Sequence, residues 1–208
     1  MSSDEILRDS SGTPLPANLE GYFLVSETEL LDPNFYKTVV LIVSHNGDGA
    51  FGLVVNRPSD ATLGEIIPEY AEREDGQTVP FIGGPVEQHY LFTLHGGAPE
   101  IERSEFAHVP ADGIVFEPSF HVIDQYLLTK DSGEPESTRH RLHFYLGYSG
   151  WSPGQLEGEI AAGAWLVIPA SPRIVFYSDP AEGWNAALRQ KGGLYSIIAQ
   201  TGFKPSLN

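Results

Sequence analysis

Thr38-Val39-Val40-Leu41-Ile42-Val43-Ser44-His45-Asn46-Gly47-Asp48-Gly49-Ala50-Phe51-Gly52-Leu53-Val54-Val55 is the stretch from which the fold of this chain is read. The run Thr38 to Val43 is β-branched and apolar, the composition of a buried strand. Asn46-Gly47-Asp48-Gly49 supplies positive φ at little cost, so the run after it, Phe51 to Val55, reads as the second strand of a hairpin. Upstream, Tyr22-Phe23-Leu24-Val25 has the same character and predicts another buried strand. Before it, Met1 to Glu20 is polar and rich in Ser, Asp and Pro, which predicts a loosely held arm, with the ordered domain running from residue 21 to 208.

Downstream, Thr62-Leu63-Gly64-Glu65 has capping-box spacing and predicts a short helix. Strands are expected at Val79–Ile82, Tyr90–Leu94 and Ile114–Phe116, and a helix over Ser119–Lys130, where Phe120, Ile123, Tyr126 and Leu127 recur at helical spacing. Asp131–Glu136 reads as an exposed loop. Arg141–Leu146 reads as an alternating strand with Leu142, Phe144 and Leu146 on one face and Arg141, His143 and Tyr145 on the other. Ser152-Pro153-Gly154-Gln155 and Asp179-Pro180-Ala181-Glu182 each combine an N-cap residue, proline at N1 and Gln or Glu at N3, and predict two helix starts. The second helix is expected to stop at Gly192-Gly193 with Arg189 and Lys191 in its last turn. Between these starts, Ala164–Ile168 and Arg173–Tyr177 are strand candidates. Hairpin-like pairs and helices without regular βα alternation argue for a single α+β domain.

Composition narrows the function classes. With 208 residues the chain is long enough for one sizeable core, and 41% hydrophobic with 11% aromatic residues excludes a disordered chain. No apolar run approaches the ~20 residues needed to cross a bilayer, and the acidic Met1-Ser2-Ser3-Asp4-Glu5 has none of the features of a secretory leader, so the expectation is a cytoplasmic protein with no membrane partner. No cysteine is present, which removes thiolate nucleophiles, disulfides and Cys-ligated metals. With 28 acidic and 12 basic residues the net charge is −16, which disfavours direct nucleic-acid binding. From Ala162 onward four basic residues (Arg173, Arg189, Lys191, Lys204) face two acidic ones (Asp179, Glu182), a local +2 that leaves −18 on the first 161 residues.

Short motifs offer little complete chemistry. Gly147-Tyr148-Ser149-Gly150-Trp151 sits where a hydrolase nucleophile elbow would, but Trp151 occupies the position that needs glycine, so it reads as a tight strand-to-helix turn with an aromatic core plug. Seven histidines (His45, His89, His95, His108, His121, His140, His143) form no metal-ligand spacing and read as scattered turn and surface residues; no metal and no cofactor are expected. Arg57 in Asn56-Arg57-Pro58 places a guanidinium at a strand end, where an anion could be held or a structural ion pair formed. Phe81-Ile82-Gly83-Gly84-Pro85-Val86 lacks a nucleotide-binding glycine spacing. Glu157 and Glu159, at i and i+2 of a helix, face different directions and read as a solvated face.

These segments together resemble the AlgH/YqgE family of bacterial proteins. The likeness is carried by Gly21-Tyr22-Phe23-Leu24-Val25, Asp32-Pro33-Asn34-Phe35, Val39-Val40-Leu41-Ile42 with His45-Asn46, Gly52-Leu53-Val54-Val55-Asn56-Arg57-Pro58, Gly83-Gly84-Pro85-Val86, Leu94-His95, Gly147–Trp151 leading to Gly154-Gln155-Leu156-Glu157, Trp165 and Trp184. The resemblance implies a single domain built around a bent, barrel-like mixed sheet flanked by short helices, and it brings no catalytic residue set. Ser26-Glu27-Thr28-Glu29 is more acidic than the family's usual apolar stretch, Lys37 stands where arginine is common, and Ser149 where alanine is often found. The family label of transcriptional regulator implies a regulatory or adaptor protein acting through protein partners. The candidate binding surface is Asn56, Arg57, Gly83, Gly84, Pro85, Tyr148, Trp151 and Gln155, provided their loops meet. A second reading, a small-molecule binder or hydrolase, would use Arg57 for an anionic group and His45 or His95 as base.

Overall fold

The computed structural model describes residues 6–30, 32–96, 102–129, 142–177, 179–202 and 204; the Met1–Glu5 segment, Lys130, the Asp131–Glu136 loop, His140 and Arg141 lie outside them. The hairpin is the centre of the sheet. Strands β2 (Val39–Asn46) and β3 (Gly49–Val54) pair antiparallel, with Val40 opposite Val54 and Asn46 opposite Gly49 across the two-residue turn Gly47-Asp48. Gly49 takes φ 123, and a Cβ there would lie 2.1 Å from the Trp151 carbonyl oxygen, so no larger residue fits. On one side of the hairpin lie β1 (Tyr22–Ser26) and then β9 (Trp165–Pro169). On the other lie β8 (Leu142–Trp151), β5 (Val86–His95), β7 (Ile114–Glu117) and β6 (His108–Ala111). All these pairings are antiparallel, and the two-residue β4 (Phe81–Ile82) adds a parallel pair to β8, so the sheet is mixed.

The sheet curls. Strand β6 is six places from β1 along the sheet order, yet His108 Nε2 meets Glu20 Oε1 at 2.9 Å, and a Cβ on Gly21 would lie 2.3 Å from the Pro110 carbonyl oxygen. Alternating side chains of β1, β2, β3 and β9 therefore enter two cores. Phe23, Val25, Leu41, Leu53 and Leu166 pack with Trp184, Leu188 and Ile198 of the helices α5 (Gly183–Lys191) and α6 (Leu194–Thr201). Leu24, Val40, Val54 and Val167 pack on the opposite face with Leu156 and Ile160 of α3 (Gln155–Ala161) and with Leu19. A third cluster joins Leu63 of α1 (Leu63–Ile66) and Tyr70 to Ile123 and Leu127 of α2 (Phe120–Thr129), over Leu142 and Phe144 of β8. Each fully buried Leu or Ile contributes about 1.5–3 kcal/mol. Among the described residues no helix is long and apolar enough to cross a membrane.

Several expectations are corrected. Residues 6–20 do not hang loose: Leu19 is fully buried, and the Asp9 carboxylate accepts from Val167 N at 3.1 Å and Lys191 Nζ at 2.9 Å. Burial works to raise the Asp9 pKa, but hydrogen bonds from Ser11, Lys191, Val167 and Thr13 outweigh it and hold the carboxyl below its ordinary range. Polar composition misled because Asp9 and Ser10 bond the edge of β9 at Val167 and Trp165, while Ser11, Thr13 and Asn18 stay exposed. Arg173–Tyr177 is not a strand, because Ser171 followed by Pro172 at N1 starts the short helix α4 (Pro172–Val175). Gly147–Trp151 is not a turn but the end of β8. The alternation expected at the start of β8 is present, with Leu142 and Phe144 in the third cluster and Tyr145 in the Phe23 core on the opposite face, so that both faces are covered. Helix α3 starts at Gln155, not at Ser152: Gly154 takes φ 77, which ends the turn first, although Gln155 Oε1 does accept from Ser152 N at 3.1 Å. The β6 strand and α6 helix carried no sequence expectation.

Close packing of glycine sets an opposing pair of expectations. A Cβ on Gly84 would fall 2.2 Å from Tyr148 backbone atoms, whereas Gly158, inside α3, has nothing within 4 Å of an added Cβ. Gly84→Ala is expected to cost about 2–3 kcal/mol, and Gly158→Ala to stabilise by about 0.5–1 kcal/mol. Urea denaturation midpoints at constant m-value measure both.

Candidate functional site

The two polar side chains of Asn56-Arg57 act together on one loop. Asn56 accepts from Val39 N at 2.8 Å and donates to Lys37 O at 3.0 Å, closing a turn in which Lys37 itself takes φ 50. Arg57 donates from Nη1 to Asn34 O at 2.7 Å and from Nη2 to Tyr36 O at 3.2 Å. Its guanidinium thus clips the loop between β1 and β2; burial lowers its pKa and the nearby Asp32 acts the other way. Neither the anion-holding nor the ion-pair expectation describes these contacts. The backbone places this clip beside the glycine pair: Arg57 O accepts from Ile82 N at 2.7 Å, and Gly83 O from Val54 N at 2.8 Å. Gly83 N donates to Leu146 O at 2.8 Å, and a Cβ on Gly84 would lie 2.2 Å from Tyr148 backbone atoms, so the glycine pair sits between β3 and β8 with Tyr148 beside it.

Trp151 and Gln155 are not part of that group. Successive β8 side chains point to opposite faces, and Tyr148 packs with the Phe23 core while Trp151, 5% exposed, belongs to the Leu24 core, stacked with Phe35 and edge-on to Trp165. Ser149 is buried and donates to Gly83 O at 3.3 Å, a structural hydroxyl. Glu159 is half-buried and engaged: one oxygen accepts from Trp151 Nε1 and Trp165 Nε1, both at 2.9 Å, and the other from Gln155 Nε2 at 3.0 Å. Gln155 thus braces this carboxylate.

The most exposed feature near the glycine pair is a wide bulge in β5. Val86 pairs with Tyr148 and Leu91 with Leu146, so four residues on β5 face only Gly147 on β8. Glu87 takes φ 52, and a Cβ on Gly147, φ 67, would lie 2.5 Å from Val86 O. Gly147 is there to admit the bulge. Tyr90, 56% exposed, sits at its end, and its ring begins a connected series: Phe92 at 6.4 Å, then Phe51 at 5.6 Å from Phe92, then Tyr148 stacked on Phe51 at 4.9 Å. Sequence reading found Tyr148 but not Tyr90, because Val86-Glu87-Gln88-His89-Tyr90 holds no Gly or Asn to signal a bulge.

The two candidate bases, His45 and His95, are each built into the fold. His45 accepts at Nδ1 from Leu19 N at 3.0 Å and meets Glu157 Oε1 through Nε2 at 3.0 Å, which pins the N-terminal segment to α3. His95 is fully buried in β5, next to Leu94 of the Phe23 core, and Arg57 faces the 34–36 loop, so no shared base-and-anion site forms. His45 and His95 are therefore core residues, not surface ones. Among the described residues no three His, Asp or Glu side chains gather to hold a metal. Of the four C-terminal cations, Lys191 pairs with Asp9 and Lys204 lies within 3.8 Å of Glu27 and Glu29, while Arg173 and Arg189 line one cavity.

Burial pushes the His95 pKa from 6.5 down to about 4, with the positive charge of Arg103 adding to it and Glu117 opposing. A base with a depressed folded pKa is protonated first in the unfolded chain, so stability falls as pH drops from about 6.5 to about 4 and levels off below. The stability gap between wild type and His95→Asn is expected to shift by up to about 3 kcal/mol in the variant's favour across that window. Urea titrations at stepped pH give the gap directly, and a gap constant with pH would contradict the assignment.

Comparison with known proteins places this geometry. The family model described as AlgH-like matches residues 23–196. A UPF0301 protein of Thermobifida fusca is 33% identical over 192 residues, covering 92% of this chain and 96% of its own. One from Myxococcus xanthus is 35% identical over 180 residues, covering 84% and 92%. The solution structure of the AlgH protein from Pseudomonas aeruginosa superposes with a TM-score of 0.69 at 30% identity, covering 94% of this chain and 99% of that one. The crystal structure of DIP2367 from Corynebacterium diphtheriae, at 23% identity and TM-score 0.71 over 91% and 95% of the two chains, shares the fold. The chain belongs to the AlgH-like family.

Proposed function

We propose that this AlgH-like chain is a non-enzymatic regulatory or adaptor protein that acts through protein contacts, and that the contact surface is the β5 bulge with the neighbouring Gly84, Pro85 and Tyr148. The observation that supports this reading most is the aromatic series running from the exposed Tyr90 through Phe92 and Phe51 to Tyr148. Tyrosine at the rim of a half-buried aromatic cluster is the composition of a binding hot spot: a large apolar ring with few rotamers to freeze and a hydroxyl for the wet edge. The cluster beneath holds the rim rigid, so little ordering entropy opposes association. The engagement of Asn56 and Arg57 with backbone groups of the 34–39 loop supports a structural role for that motif and moves the surface toward β5. With a net charge of −16, association favours partners that present basic residues around an apolar anchor site.

The test is quantitative capture of partners on wild-type protein against Tyr90→Ala, with Phe106→Ala, another exposed aromatic at 69%, as the control. Truncating a hot-spot residue costs at least about 2 kcal/mol, so partners held by wild type and by the Phe106 variant are expected to fall about thirtyfold on the Tyr90 variant. Equal capture on both variants sinks the assignment of this surface.

A further inference from the structure

Helices α4 and α5 meet at a cavity of about 270 Å³ lined by Arg173, Ile174, Tyr177, Ala186, Arg189 and Gln190. Its two guanidinium groups differ in what they already hold. Arg189 gives Nη2 to Glu182 at 2.9 Å, whereas the exposed Arg173 makes no ion pair among the described residues. The Gln190 amide is held at both ends as a wall, donating to Pro169 O at 2.8 Å and accepting from Ser171 Oγ at 3.1 Å. Ile174 and Ala186 supply an apolar floor, and Tyr177 adds a ring and a hydroxyl.

Charge selects the ligand. Two guanidiniums and the Glu182 carboxylate leave a local formal charge of +1, on a chain whose total is −16. A monoanion neutralises the cavity, while a dianion would leave excess negative charge in a field already negative. The guanidinium fork matches a planar carboxylate through two parallel hydrogen bonds. Ligand cavities commonly span about 300–1,000 Å³, so this one suits a molecule of about one ring and is too small for a nucleotide. We propose that the α4–α5 cavity is a binding site for a small organic monocarboxylate, its carboxylate forked by Arg173 and its apolar body against Ile174, Ala186 and Tyr177. This site is separate from the β5 surface, and neither depends on the other.

Titration of ¹⁵N-labelled full-length protein with benzoate, benzamide and phenyl phosphate tests the assignment. Saturable benzoate shifts confined to α4, α5 and the residues joining them are expected, with benzamide and phenyl phosphate each binding at least tenfold more weakly. Arg173→Ala, at an exposed position, is expected to keep the wild-type spectrum elsewhere and to lose at least tenfold in benzoate affinity, with Arg173→Lys between the two. Non-saturating or scattered shifts, unchanged affinity in Arg173→Ala, equal binding of benzamide, or tighter binding of phenyl phosphate would each overturn the proposal.

Discussion

Burial of β2 on both faces is the constraint on which the rest of the structure depends. Val39, Leu41 and Val43 enter one core while Val40 and Ile42 enter the other, and all five are 2% exposed or less. A strand with no wet face needs a cover on each side. Helices α5 and α6 supply one cover; α3 and the N-terminal segment supply the other. Because none of Val39 to Val43 can be polar without facing a core, the register with β1 and β3 is fixed, and that register places the Asn56-Arg57 clip, the glycine pair and β8 where they lie.

Much of the polar chemistry serves that arrangement. Asn56 and Arg57 hold the loop that leads into β2, and Glu159 ties two indoles at the base of the second core. His45 joins Leu19 to α3, and the buried Glu27 accepts from Tyr195 at 2.9 Å and from Ser10 at 2.5 Å, linking α6 to the N-terminal segment. A polar group withdrawn from water must find a partner inside the protein, so these residues are specified by the fold. The β5 bulge presents an exposed aromatic ring and the α4–α5 cavity two guanidinium groups on an otherwise acidic chain, and the two functional inferences fall there.

The sequence made the local elements legible where one signal dominated. The Asn46–Gly49 turn, the Thr62–Glu65 helix start and the stop at Gly192 follow from backbone chemistry within four residues, and all appear as expected. The AlgH-like membership and the curled α+β sheet were legible from motif order. Long-range partners were not: nothing near Asp9 signals Lys191, and nothing near Glu159 signals the indoles of Trp151 and Trp165. Part of the candidate surface was legible in chain order, since Gly84 packs against Tyr148 and Arg57 bonds the residue just before Gly83, but the pleat of β8 turns Trp151 to the other face. Tyr90 was missed because the bulge that exposes it is permitted by Gly147 on the opposite strand.

Native-state hydrogen exchange across a denaturant series tests the account most directly. If two-sided burial of β2 is the constraint that holds the fold, the amides of Leu41, Ile42 and Val43 exchange only by global unfolding, with opening free energies equal to that of the whole protein, while those of residues 87–90 exchange through local openings of far lower free energy. Opening of β2 at a free energy several kcal/mol below global unfolding, with the β5–β8 half still protected, would contradict it.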